Sequence, residues 1–122
     1  MNVKPICQPN ELFKGYKSQI KTLWRKGKLK SVVLGLYGDI LTKDNLSIEH
    51  LKPHSQGGRT VLSNLALASQ DKNNARGCNP LKDFLTKEMA EKYLKQFENI
   101  RRKNFDGNKY IEMLRKTFEE LL

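Results

Sequence analysis

Apolar residues recur along this chain with two periods. Leu12, Phe13, Tyr16, Ile20, Leu23 and Trp24 fall on one helical face, with Asn10 placed to cap the helix and Gly27 to end it. The apolar run from Lys28 to Tyr37 has no decisive period and reads as a short buried helix, in preference to a strand, stopped by Gly38. Ile48 sits between polar Ser47 and Glu49 after Leu46, an alternation that suits a short strand, and Pro53 with Gly57-Gly58 then forces a loop. Leu65 to Ala68 predicts a second strand, and Ser69 or Asp71 can cap a helix that Gly77 ends. Thr86 can cap a helix through about Lys103, with Met89, Tyr93, Leu94, Phe97 and Ile100 as its buried stripe. The Asp106-Gly107-Asn108 turn introduces a last helix carrying Ile111, Leu114, Phe118 and Leu121. The pattern predicts an α+β fold, mostly helical. A single domain spans 1–122, with a strand-loop-strand-helix core at about 46–78 and helical flanks at 10–37 and 80–122.

Leu, Ile, Val and Phe make up 32 of the 122 residues, enough for a folded core despite the high charge. No apolar run approaches the roughly 20 residues that span a bilayer. The N-terminus lacks the basic, apolar and small-residue regions of a signal peptide. The expectation is a soluble cytoplasmic protein, neither secreted nor bound to a membrane. Cys7 and Cys78 are too few for a disulfide framework or a four-cysteine zinc site, and nothing marks Cys78 as a nucleophile.

The charge narrows the class of partner. Lys and Arg number 23 against 13 Asp and Glu, a net +10, which concentrates polyanions near so small a surface. Nucleic acid is the first candidate, DNA before RNA. Seven basic residues and no acidic one lie between Lys14 and Lys30, among them Lys17, Lys21 and Arg25, and Arg101-Arg102-Lys103 forms a second cluster. Either cluster could neutralise phosphates or be the solvated face of a helix. Trp24 reads as core, with stacking on a base as the alternative.

The segment from Ile48 to Gly77 carries the chemistry. Glu49 is a hard oxygen ligand, His50 exchanges a proton near neutral pH, and Asn64 and Asn73 offer amide oxygens. Such a set could cleave a phosphodiester. That reaction needs a deprotonated attacking water, positive charge on the non-bridging oxygens and help for the departing oxygen.

In order, the segment presents Glu49-His50, Pro53, Gly57-Gly58, Asn64-Leu65, Asn73 and Arg76-Gly77. This pattern resembles the HNH endonucleases with the beta-beta-alpha-metal fold. It covers about the central quarter of the chain, and its spacing is similar to that in the HNH domains of CRISPR RNA-guided nucleases. The resemblance implies His50 as the general base that activates water. It implies Glu49 and Asn73 as holders of one divalent ion, Mg2+ first and Mn2+ as a substitute, and Asn64 as the residue that orients the loop and the His50 ring. It is broadest to small stand-alone proteins of bacteria, phages and mobile elements that act in restriction, packaging or defence. Glu49 stands where Asp is commoner. Leu34, Tyr37, Ser69 and Lys72 stand where many members place zinc-binding cysteines, so no structural zinc is expected.

Some alternatives stay open at the level of sequence. Asn74 could replace Asn73 as ligand, and His54 reads as a loop residue with a phosphate contact as the alternative. Lys72 and Arg76 could bind phosphate or only be solvated. Consecutive strand residues point to opposite faces, so Glu49 and His50 share a site only if the strand ends there. Specificity would come from a partner protein if not from the chain, and a homodimer could cut both strands where a monomer nicks. The competing function is a nucleic-acid-binding module that keeps the scaffold without turnover, or one that acts on RNA.

Overall fold

The computed structural model describes residues 19–122; the helix start at Asn10, Lys14 and Lys17 lie outside them. The architecture is α+β. Four α-helices and two small antiparallel sheets are present among the described residues: α1 Gln19–Arg25, β1 Leu46–His50, β2 Leu65–Ser69, α2 Gln70–Arg76, α3 Lys87–Lys95, β3 Arg101–Arg102, β4 Phe105–Asp106 and α4 Gly107–Leu121. No helix among these residues is long and apolar enough to cross a membrane.

β1 and β2 pair antiparallel with Ile48 opposite Leu67, Glu49 opposite Ala66 and His50 opposite Leu65. β2 runs straight into α2, because Ser69 ends the strand and its Oγ accepts from the Lys72 amide as the N-cap. Gly77 closes α2 at a positive φ of 57°. Thr86 caps α3 and Asp106 caps α4 in the same way, accepting from the amides of Met89 and Lys109. The predicted strands, the Ser69 cap and the last helix are therefore present.

One predicted helix is absent and another is shorter than expected. Residues 28–37 form turns and one isolated bridge between Leu34 and Ile40. Val32, Val33, Gly35 and Gly38 weaken any helix here. The backbone bonds outward instead: the Leu36 amide donates to the Leu67 carbonyl at 2.8 Å, and the Gln96 amide group grips Leu34 from both sides, accepting from its N–H and donating to its carbonyl. The helix beginning at Lys87 stops at Lys95 and not near Lys103. Asn99 and Asn104 take left-handed conformations, φ 60° and 63°, which turn the chain into the β3–β4 hairpin.

The core joins both halves. Ile20, Leu36, Leu51 and Leu67 pack with Leu94, Phe97, Tyr110 and Leu114, all fully buried. Tyr93, Phe97, Phe105 and Tyr110 form an aromatic cluster with centroids 4.8–6.5 Å apart. Their hydroxyls make a directed chain. Leu67 N–H donates to Tyr93 (2.9 Å), Tyr93 to Tyr110 (2.9 Å) and Tyr110 to the Leu65 carbonyl (2.7 Å), so α3 and α4 are fixed to β2. Trp24 belongs to this framework, its indole N–H donating to the Val32 carbonyl at 2.8 Å.

Candidate functional site

Strand alternation sends Ser47 and Glu49 to one face of β1, where both are buried, and Ile48 and His50 to the other, where both are half-buried. Glu49 and His50 both lie within β1 and pair with β2, so the alternation holds through His50 and their side chains stand on opposite faces of the strand. α2 is attached to β1 by two residues on one of its faces, Asn73 and Arg76, at i and i+3. Asn73 Nδ2 donates to Ser47 Oγ at 2.8 Å and to the Ile48 carbonyl at 2.9 Å. Arg76 donates to the His50 and Leu51 carbonyls at 2.9 and 2.8 Å and, through Nε, to the Asn79 carbonyl at 2.9 Å.

Arg76 therefore neither binds phosphate nor is solvated. It is 1 % exposed, and its remaining charge faces Glu49, with Nη1 3.5 Å from Oε2. A carboxylate at an inward position of a strand requires a buried partner, and Arg76 supplies it. The Tyr37 hydroxyl supplies a second, donating to the same Oε2 at 2.6 Å. Burial pushes the Glu49 carboxyl above its ordinary range, opposed by Tyr37 and Arg76, and burial together with the Glu49 charge pushes the Tyr37 phenol up.

The opposite side of β1 is built by the loop. Asn64 is buried and bonds three ways: Oδ1 accepts from the Lys52 amide (2.9 Å), and Nδ2 donates to the carbonyls of Lys52 (3.1 Å) and Arg59 (2.9 Å). It thus ties the start of the loop to its end. The glycine pair has two separate causes: Gly57 sits at φ +89°, and a Cβ on Gly58 would lie 1.8 Å from the Lys52 carbonyl oxygen. The loop makes an open cup lined by His54, Gly57, Gly58, Arg59, Thr60 and Val61. His50 reaches this loop, with Nε2 3.0 Å from Thr60 Oγ1. Burial, helped by His54, lowers the His50 pKa and so favours the neutral ring.

Glu49 and Asn73 fit a hard divalent ion by donor type, a carboxylate with an amide oxygen and water completing the shell. Both bonds that hold Asn73 use its amide nitrogen, so its carbonyl oxygen is the atom with donor capacity to offer. Glu49 is 3 % exposed and already engaged by Tyr37 and Arg76, which makes it the weaker member of the pair. No group of three or more His, Cys, Asp or Glu clusters among the described residues. Asn74 lies on the exposed side of α2, its Oδ1 accepting from Gln70 at 2.9 Å, so Asn73 is the asparagine beside β1.

At the four positions compared with zinc-binding cysteines, Leu34 is bridged to Ile40 and Tyr37 bonds Glu49. Ser69 Oγ donates to Asp39 at 2.8 Å while capping α2, and Lys72 is exposed. Cys78 carries no free thiol; its carbonyl accepts from Gln56 Nε2 at 3.1 Å. Arg25, Arg101 and Arg102 are exposed, and Lys21 is half-buried. Sequence reasoning missed Thr60 and the bond from Tyr37 to Glu49. The alternation of Leu46 and Ile48 with Ser47 and Glu49 pointed the polar pair outward, so the burial of Glu49 had no signal in the sequence. Nothing in the spacing pointed to Thr60. Compared with protein-family models, curated proteins and solved structures, the chain matches none.

Proposed function

We propose that the chain is a metal-dependent endonuclease of the HNH type that hydrolyses DNA phosphodiester bonds with little intrinsic sequence preference. The observation that carries this reading is the position of His50. It ends β1 and is directed toward a glycine loop that Asn64 fastens at both ends. His50 takes the proton from water as its oxygen attacks phosphorus, the bond to the 3′ oxygen breaks, and that oxygen leaves with a proton from solvent. A divalent ion on Glu49 and Asn73 would supply the positive charge that the non-bridging oxygens require. Asn64 and Thr60 act through His50 and the loop, as positioning residues.

A supercoiled-plasmid assay with Mg2+, Mn2+ or EDTA tests the proposal. Wild type should give nicked or linear product that EDTA abolishes, and His50→Ala should lose cleavage while retaining DNA binding. Cleavage that survives His50→Ala overturns the assignment. The burial of Glu49 against Arg76 and Tyr37 favours a second reading, a scaffold that binds nucleic acid and needs a partner to open its ion site. Binding without cleavage in every metal is its signature. Preferential cleavage of RNA would replace DNA as the substrate.

A further inference from the structure

The two basic clusters of the sequence, more than 70 residues apart, meet on one surface. Arg102 Nε donates to the Lys28 carbonyl at 2.9 Å, and Gln19 Nε2 donates to the Asn104 carbonyl, so the β3–β4 hairpin lies against the start of α1 and the turn after its end. Ser31 Oγ donates to the Gln96 carbonyl at 2.8 Å, and the Gln96 side chain bonds Val33 and Leu34, which fixes the same two segments further along. Lys26, Lys28 and Lys30 from one segment and Arg101, Arg102 and Lys103 from the other are all exposed. Carboxylates are scarce here. None occurs from residue 19 to 38, and the hairpin's Asp106 is engaged by Arg101 at 2.6 Å.

We infer that this composite surface is a preformed docking site for the phosphate backbone of duplex DNA, assembled from the α1 end and the β3–β4 hairpin. Segments already held side by side by hydrogen bonds from side chains to backbone spare part of the ordering cost that a flexible basic tail would carry. Duplex is favoured over single strands because no exposed aromatic side chain occurs among the described residues. Trp24 is committed to Val32, and the exposed large apolar residues among those described are Val33, Ile40 and Val61, all aliphatic. The inference concerns binding and stands apart from the hydrolytic reading, which supplies only the expectation of DNA as the polymer.

The test is anisotropy titration of the full chain against one fluorescent DNA duplex, in EDTA so that nothing is cut, over a series of KCl concentrations. Two variants address the two segments: Lys26→Gln with Lys28→Gln and Lys30→Gln, and Arg101→Gln with Lys103→Gln. Each should weaken binding at least about tenfold at low salt. Each should also flatten the logarithmic salt slope by about 0.9 for every phosphate no longer neutralised, about 2 to 3 for the triple variant. A control triple variant on α3, Lys87→Gln with Lys92→Gln and Lys95→Gln, should leave the slope unchanged. Equal flattening by the control, or no flattening by the hairpin variant, overturns the composite surface. Tighter binding of single strands or of duplex RNA overturns the choice of polymer. Melting curves that match wild type confirm that the variants are folded, and plasmid cleavage scored separately keeps this outcome distinct from that of the catalytic assignment.

Discussion

The two sides of β1 handle polar groups in opposite ways. On the Glu49 side a full charge is withdrawn from water and compensated by Arg76 and Tyr37, so the side chains hold one another. On the His50 side the main chain is held, by the three bonds of Asn64 and the fit of Gly58, and the histidine is left at the rim. Order is obtained on one side by burying ions and on the other by shaping backbone. Chemistry that needs solvent access suits the second side; stability depends more on the first.

If that contrast is right, the largest loss comes from breaking the buried pair. Arg76→Ala strands Glu49 and leaves two strand-end carbonyls without donors, an expected cost of about 3–5 kcal/mol by urea unfolding. The double variant Glu49→Gln with Arg76→Met should recover much of it, whereas no recovery would mean that Arg76 acts mainly through the His50 and Leu51 carbonyls. Asn64→Ala should cost about 2–3 kcal/mol and loosen residues 52–60 in hydrogen exchange, with β1 and α2 still protected. Loss of protection throughout would erase the distinction between the two sides. Thr60→Val should cost only about 1 kcal/mol but move the ring-nitrogen NMR signals of His50. Unchanged signals would show that Thr60 does not position the ring.

The smallest effect calibrates the first. Arg115 and Glu91 make an exposed pair at 2.7 Å between α4 and α3, and the Arg115 hydrogen bond holds the Glu91 carboxyl below its ordinary range. A depressed folded-state pKa contributes stability above the unfolded value near about pH 4.3, lost as pH falls through the folded one. Glu91→Gln should therefore cost under about 1 kcal/mol at pH 7 and nothing at about pH 2. A cost equal to that of Arg76→Ala would show that burial is not what distinguishes the two pairs.

What the sequence made legible follows the range of the forces involved. Ser69, Thr86 and Asp106 cap their helices through bonds to residues three positions ahead, so they could be read locally. The strands at 46 and 65 and the glycine loop were legible for the same reason. The non-helical course of 28–37 was not, because it is set by Gln96 and Leu67, far along the chain. The hairpin at 101–106 was hidden by an apolar stripe that continues in helical register past Lys95, although Asn99 and Asn104 were its clue. Within the site, residue types and order were visible, but partners were not. Arg76 shows the difference: a cation in a polar segment reads as surface, and only the folded position of Glu49 reveals it as a buried partner.

A sheet of only two strands exposes two edges, each able to recruit another strand from a neighbouring molecule. In the β1–β2 sheet, side chains and one backbone amide occupy groups along both edges. Asn73 and Arg76 occupy the Ile48 and His50 carbonyls along β1, while Tyr93, Tyr110 and the Leu36 amide occupy Leu67 and Leu65 along β2. The residues that attach the helices are therefore also the ones that cover the edges of this sheet.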